Sequence, residues 1–165
     1  GSQRSDRSRY LAAKGSLELA EPYFVRFEAI KLNAPLQASM KVKKARMEEA
    51  LDAYNAAAEY GVAEVTTVAT YQVAEIYYQL SKDLMSSEKP PELNNDELEQ
   101  YDILLEEQAF PFEEKAIEIY EANVQRAANG VYDEAVKDSY ARLAELMPGR
   151  YSRSERTESY ASLTD

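Results

Sequence analysis

The sequence predicts an all-α fold in which antiparallel helix pairs stack on one another. Three observations carry that prediction. Only 5 glycines and 6 prolines interrupt 165 residues, and alanine, leucine and glutamate are plentiful, a composition that favours helix. Apolar side chains recur at three- and four-residue spacing along most of the chain. A helical pattern also appears twice. Glu49-Ala50-Leu51-Asp52-Ala53-Tyr54 is followed by Gly61-Val62, and Lys115-Ala116-Ile117-Glu118-Ile119-Tyr120 by Gly130-Val131. After each glycine a further helical stretch is centred on a small residue, Ala74 and Ala144.

The first helix is expected over about 7–31, with Leu11, Leu17, Leu19, Ala20, Tyr23, Phe24, Phe27 and Ile30 as its apolar face. Pro22 should kink or break it near Ala20, and Asn33-Ala34-Pro35 ends it, because the residue before proline resists helix. A second helix follows over about 36–60, lined by Met40, Met47, Ala50, Leu51, Tyr54, Ala57 and Ala58. Lys41, Lys43, Lys44 and Arg46 fall mostly off that face and read as solvated; the other reading is contact with a membrane surface or an acidic partner. Gly61 suits the position after the helix end. The third helix, about 63–86, is apolar over more than one face, as expected of a helix packed between neighbours.

Residues 87–95 read as a linker, with two prolines in a polar cluster. Asn94 and Glu97 form a capping-box pattern that opens a helix to about Ala109. Pro111 suits the first turn of another helix, to about Ala128, and the two could stack as one kinked helix. A last helix is expected over about 133–147, stopped by Pro148-Gly149. Residues 149–165 read as a polar, mobile tail. Gly1-Ser2 reads as a cloning scar on a fragment of a longer protein, leaving one domain over 3–148.

Composition excludes several kinds of chemistry. Without cysteine there are no disulfides, thiol nucleophiles or thiolate metal sites, and without histidine there is no Ser-His-Asp triad or His-ligated zinc. No glycine-rich phosphate loop occurs, and no cofactor or catalytic residue is expected. No apolar run reaches the roughly 20 residues that span a bilayer. The formal net charge is −11. Residues 92–121 hold eleven acidic residues and a single basic one, Lys115. A nucleic-acid partner is therefore not expected, since phosphates need Lys and Arg. The acidic stretch would steer a basic protein partner; its plainer role is a solvated face that aids solubility.

Within that stretch Glu106, Glu107, Glu113 and Glu114 crowd Pro111 and form the candidate acidic steering surface. The sequence gives no sign of the unequal, partly buried environments that acid–base catalysis needs or of the Asp/Asn-rich glycine loop of a calcium site, so no metal site is assigned. Asn94, Asn95 and Asp96 are explained by helix capping rather than by a cation.

In one family of helical repeats, two antiparallel helices pack through small residues, with large residues filling the gaps beside them. Ala50, Tyr54 and Ala57 match all three key positions of its second helix. Ala116 and Tyr120 match two, and Asn123 departs at the third. Tyr140, Leu143 and Ala144 match the first helix, with Met147 departing, and Val73, Ala74 and Tyr77 match it with Thr70 departing. The separation of Ala50 and Ala116 is close to twice a period of roughly 34 residues. Over about 45–148 the chain thus resembles the tetratricopeptide repeat family. The stretches 60–67 and 110–116 resemble the C-terminal region of bacterial periplasmic members found beside TonB/Tol-type and gliding-motility systems.

The resemblance implies a short right-handed superhelix and a protein-binding scaffold in the periplasm of a Gram-negative bacterium. It also implies a partner groove at Tyr71, Glu75 and Tyr78, positions that commonly face the groove in this family; packing against neighbouring helices is the plainer role of the two tyrosines. Tyr54, Tyr77 and Tyr120 are expected in the core. A structural module that self-associates through its first helix or an end face is the alternative.

Overall fold

A computed structural model describes residues 2–148. It contains five α-helices and, among the described residues, no strand: α1 Ser2–Ala29, α2 Leu36–Ala58, α3 Ala63–Met85, α4 Asn95–Ala128 and α5 Glu134–Leu146. The tail expected at 149–165 and the first residue lie outside the described residues. Each helix packs against the next, and α3 also packs against both α1 and α5. No described helix is long and apolar enough to cross a membrane.

The helix ends follow local chemistry. Gly61 and Gly130 adopt φ of 70° and 87° after α2 and α4, the left-handed geometry that glycine takes without a Cβ penalty. Asn94 caps α4: its side chain accepts from the Glu97 amide at 2.9 Å, and the Glu97 carboxylate accepts from the Asn94 amide at 3.2 Å. Asp133 caps α5, accepting from the Val136 amide at 3.0 Å. Its other oxygen accepts from the Thr67 hydroxyl at 2.6 Å, which ties the start of α5 to α3.

Two cores share α3 and α4. One gathers Phe27, Met47, Ala50, Tyr54, Val65, Ile76 and Leu80 from α1 to α3, with Ala109 of α4. The other joins Ala74 to Ala116, Tyr120, Val136, Tyr140 and Leu143. Ala50, Ala57, Ala74 and Ala116 are fully buried, the small residues where helices meet. Tyr54 and Tyr120 lie in the core as expected, and Tyr77 is half-buried.

Several expectations are corrected. α1 begins five residues earlier than expected and runs unbroken through Pro22, which is exposed. Its apolar face is narrower than the pattern suggests. Only Ala13, Ala20 and Phe27 are buried, while Leu11, Leu19 and Tyr23 are exposed, because only one side of the helix meets a neighbour. α4 is one 34-residue helix with Pro111 inside it; Pro111 is exposed, so its missing N–H leaves no buried gap in the ladder.

Lys43 departs furthest from its expected place. It is fully buried rather than solvated. Its ammonium donates to the Phe27 and Ile30 carbonyls at 2.7 and 2.9 Å, pairs with Asp83 at 2.8 Å and lies 4.2 Å from the centre of the Phe27 ring. All three donors are used, and this full hydrogen bonding offsets the cost of burying a charge. Lys41 and Lys44 are exposed, and Arg46 pairs with Glu49 at 3.0 Å.

Candidate functional site

The predicted groove residues Tyr71, Glu75 and Tyr78 lie on the face of α3 that meets α4 and α5, and all three are half-buried. Glu75 is the hub. Its carboxylate accepts from the Tyr71 hydroxyl at 2.9 Å, from the Tyr120 hydroxyl in a very short contact, and from Arg142 at 2.7 and 3.0 Å. The Arg142 fork is bidentate, the strongest geometry a guanidinium offers a carboxylate. Burial raises the Glu75 pKa, but the hydrogen bonds from Arg142, Tyr120 and Tyr71 and the charge of Arg142 outweigh it, so the carboxyl is held below its usual range. The Tyr71 and Tyr120 hydroxyls are pushed up, by burial first and then by Glu75. Four donors thus saturate Glu75. Its hydrogen bonds join α3 to Tyr120 of α4 and Arg142 of α5.

Tyr78 has a different setting. Two cations approach its ring, Lys82 Nζ at 4.5 Å and the Arg142 guanidinium at 4.9 Å, within the range of cation–π attraction. It lines an open groove of about 400 Å³ with Ser81, Lys82 and Met85 of α3, Glu106, Ala109, Phe110 and Glu113 of α4, and Leu146 of α5. Phe110 is 57% exposed and Met85 41%. The groove therefore has an apolar wall, an aromatic edge and a charged rim of Glu106, Glu113 and Lys82. Tyr71 lines a separate hollow with Asp138, Ala141, Arg142 and Glu145.

Sequence reasoning and geometry meet only in part. Tyr78 shares one groove with two of the four predicted acidic residues, Glu106 and Glu113, whereas Glu107 and Glu114 are exposed on α4 and do not line it. The residues missed are Phe110, Met85, Leu146 and Arg142. The signal for Phe110 was present, since a phenylalanine amid solvated glutamates beside a proline has no core role on that face. Nothing local announced Arg142, which is far from Glu75 in sequence. Among the described residues, no group of three or more carboxylates is placed to hold a metal ion.

Asn123, where the helical repeat pattern departs, is fully buried. Its amide donates to the Thr67 carbonyl at 2.9 Å and the Ser139 hydroxyl at 3.1 Å, and its oxygen accepts from Arg126 in a very short contact. The departure thus places a polar bridge among α3, α4 and α5. Compared with family models, with curated proteins and with solved structures, the chain matches none.

Proposed function

We propose that this protein is a non-enzymatic interaction scaffold of tetratricopeptide type. It takes an apolar, Lys/Arg-bearing segment of a protein partner in the groove edged by Tyr78 and Phe110. The observation that carries this reading is Phe110: a large aromatic side chain, more than half exposed, beside a groove with an apolar wall and the Glu106 and Glu113 carboxylates at its rim. Aromatic anchors bordered by polar groups are where interface energy concentrates, and the acidic surface of α4 supplies steering. The repeat-like stack is supported by the packing of α3 against both α1 and α5 and by the burial of four of the matched alanines, Ala50, Ala57, Ala74 and Ala116. The resemblance adds a bacterial envelope setting.

Absent histidine and cysteine, and a Glu75 carboxylate already saturated by hydrogen-bond donors, favour binding over catalysis. A peptide-display selection tests the reading. The expected outcome is enrichment of peptides with apolar anchors next to Lys or Arg, with binding at least tenfold weaker to the Phe110→Asp/Tyr78→Ala variant and weaker at high salt. Selected peptides that bind this folded variant as well as the parent would reject the groove.

A further inference from the structure

We infer that α1 is a self-complementary docking helix that pairs antiparallel with α1 of a second copy of this chain. Arg4, Arg7, Leu11, Lys14, Glu18, Glu21, Val25 and Glu28 alternate three and four residues apart and form one stripe along the helix; all eight are exposed. The spacing is that of a paired-helix seam, here charged at six positions and apolar at Leu11 and Val25. Its first half is basic, at Arg4, Arg7 and Lys14, and its second half acidic, at Glu18, Glu21 and Glu28. Among the described residues none of these six charges has an ion-pair partner, and the ion pair seen on α1 joins Arg9 to Asp6, at 3.9 Å.

The order of charge opposes what an isolated helix prefers. A helix dipole favours acids at the N-terminus and bases at the C-terminus, yet the first turn of α1 contains no acidic residue. An antiparallel copy reverses the mismatch, because each basic half then lies against an acidic half. With Ala12 and Ala13 at the centre, Arg4 opposes Glu21 and Arg7 opposes Glu18, and two-fold symmetry repeats each pair. The same alignment sets Leu11 beside the aliphatic stem of Lys14.

The body of the protein offers a seat for that second helix. The acidic half borders an open groove of about 480 Å³ between α1 and α3, floored by Phe24, Tyr54 and Val68 and containing no Lys or Arg. The field of its rim reaches the floor: the Tyr54 hydroxyl is pushed up to about 12, by burial first and then by Glu21 and Glu28. At the other end of α1, residues 2–9 are exposed throughout. A basic helical arm with no packed face is marginal in water. The groove of a second copy supplies its cover, and this face is distinct from the one bearing Phe110.

Sedimentation velocity and light scattering on the whole chain test the inference. The expected result is a dimer that weakens as salt rises. Glu18→Arg/Glu21→Arg and Arg4→Glu/Arg7→Glu should each raise the dimer dissociation constant at least tenfold, and mixing the two variants should restore association. Because the chain lacks cysteine, Arg4→Cys/Glu21→Cys gives an independent readout. The two positions lie about 25 Å apart on one helix, so only an intermolecular bridge can form, and oxidation should yield covalent dimer where Arg4→Cys alone does not. A monomer at every concentration and salt, charge-reversed variants that associate like the parent, or a mixture that stays monomeric would overturn the pairing.

Discussion

The Lys43 ammonium stands 2.7 Å from the Phe27 carbonyl and 4.2 Å from the centre of the Phe27 ring, so a side chain from α2 closes the C-terminal end of α1. Helices end with unpaired carbonyls that cations near the C-terminus satisfy. Here the cation is enclosed and is held from the far side by Asp83 of α3.

Lys43→Ala should therefore destabilise the protein by about 3–5 kcal/mol, since removing one partner strands the carbonyls and the carboxylate together. Asp83→Asn should cost less, because its amide oxygen can still accept from Lys43 and the aspartate is partly exposed. Urea unfolding ranks the two, and equal losses would mean that Lys43 contributes only packing.

Glu75 gives a pH signature. A carboxyl whose pKa is lowered by folding adds stability above its unfolded value, near 4.3, and that stability is lost as pH falls through the folded value. Glu75→Gln should cost about 2–4 kcal/mol at pH 7, where it takes from Arg142 its bidentate carboxylate partner and leaves only Glu145. The gap between parent and variant should narrow as pH drops below about 4. Denaturant melts across pH 2–7 check this; a gap independent of pH would show that the charge of Glu75 is not what stabilises the junction.

Asn123→Ala puts a small residue where the repeat pattern expects one, yet it should destabilise by about 1–3 kcal/mol by leaving Arg126, Ser139 and the Thr67 carbonyl with fewer partners in a buried site. Thermal melting measures it. A neutral or stabilising result would mean that water or repacking satisfies those groups.

Phe110→Ala should leave stability within about 0.5 kcal/mol, as for an exposed position, while weakening capture of a peptide partner. Calorimetry of the variant alongside a binding assay separates the two effects, and a large loss of stability would make Phe110 a packing residue.

Helix order was legible because apolar spacing, glycine stops and the Asn94–Glu97 cap are local signals. Lys43 was misjudged because a lysine's place in a helical pattern says nothing of a neighbour's open carbonyls; its partners lie in α1 and α3. The unbroken α4 was half legible, since Pro111 suits both a new first turn and an exposed interior position. Of the candidate groove, Tyr78 and the acidic residues of α4 were legible as types. The capture of Glu75 by Tyr120 and Arg142 was not, because it depends on how three helices meet.

α3 and α4 each belong to both cores: Ala69 and Ala109 face one, Ala74 and Ala116 the other. The two halves are thus joined as in a lap joint, with long members overlapping rather than meeting end to end. α3 packs against α4 along much of its length and also touches both α1 and α5. With the same two helices in both cores, neither half can part from the other without breaking the α3–α4 contact.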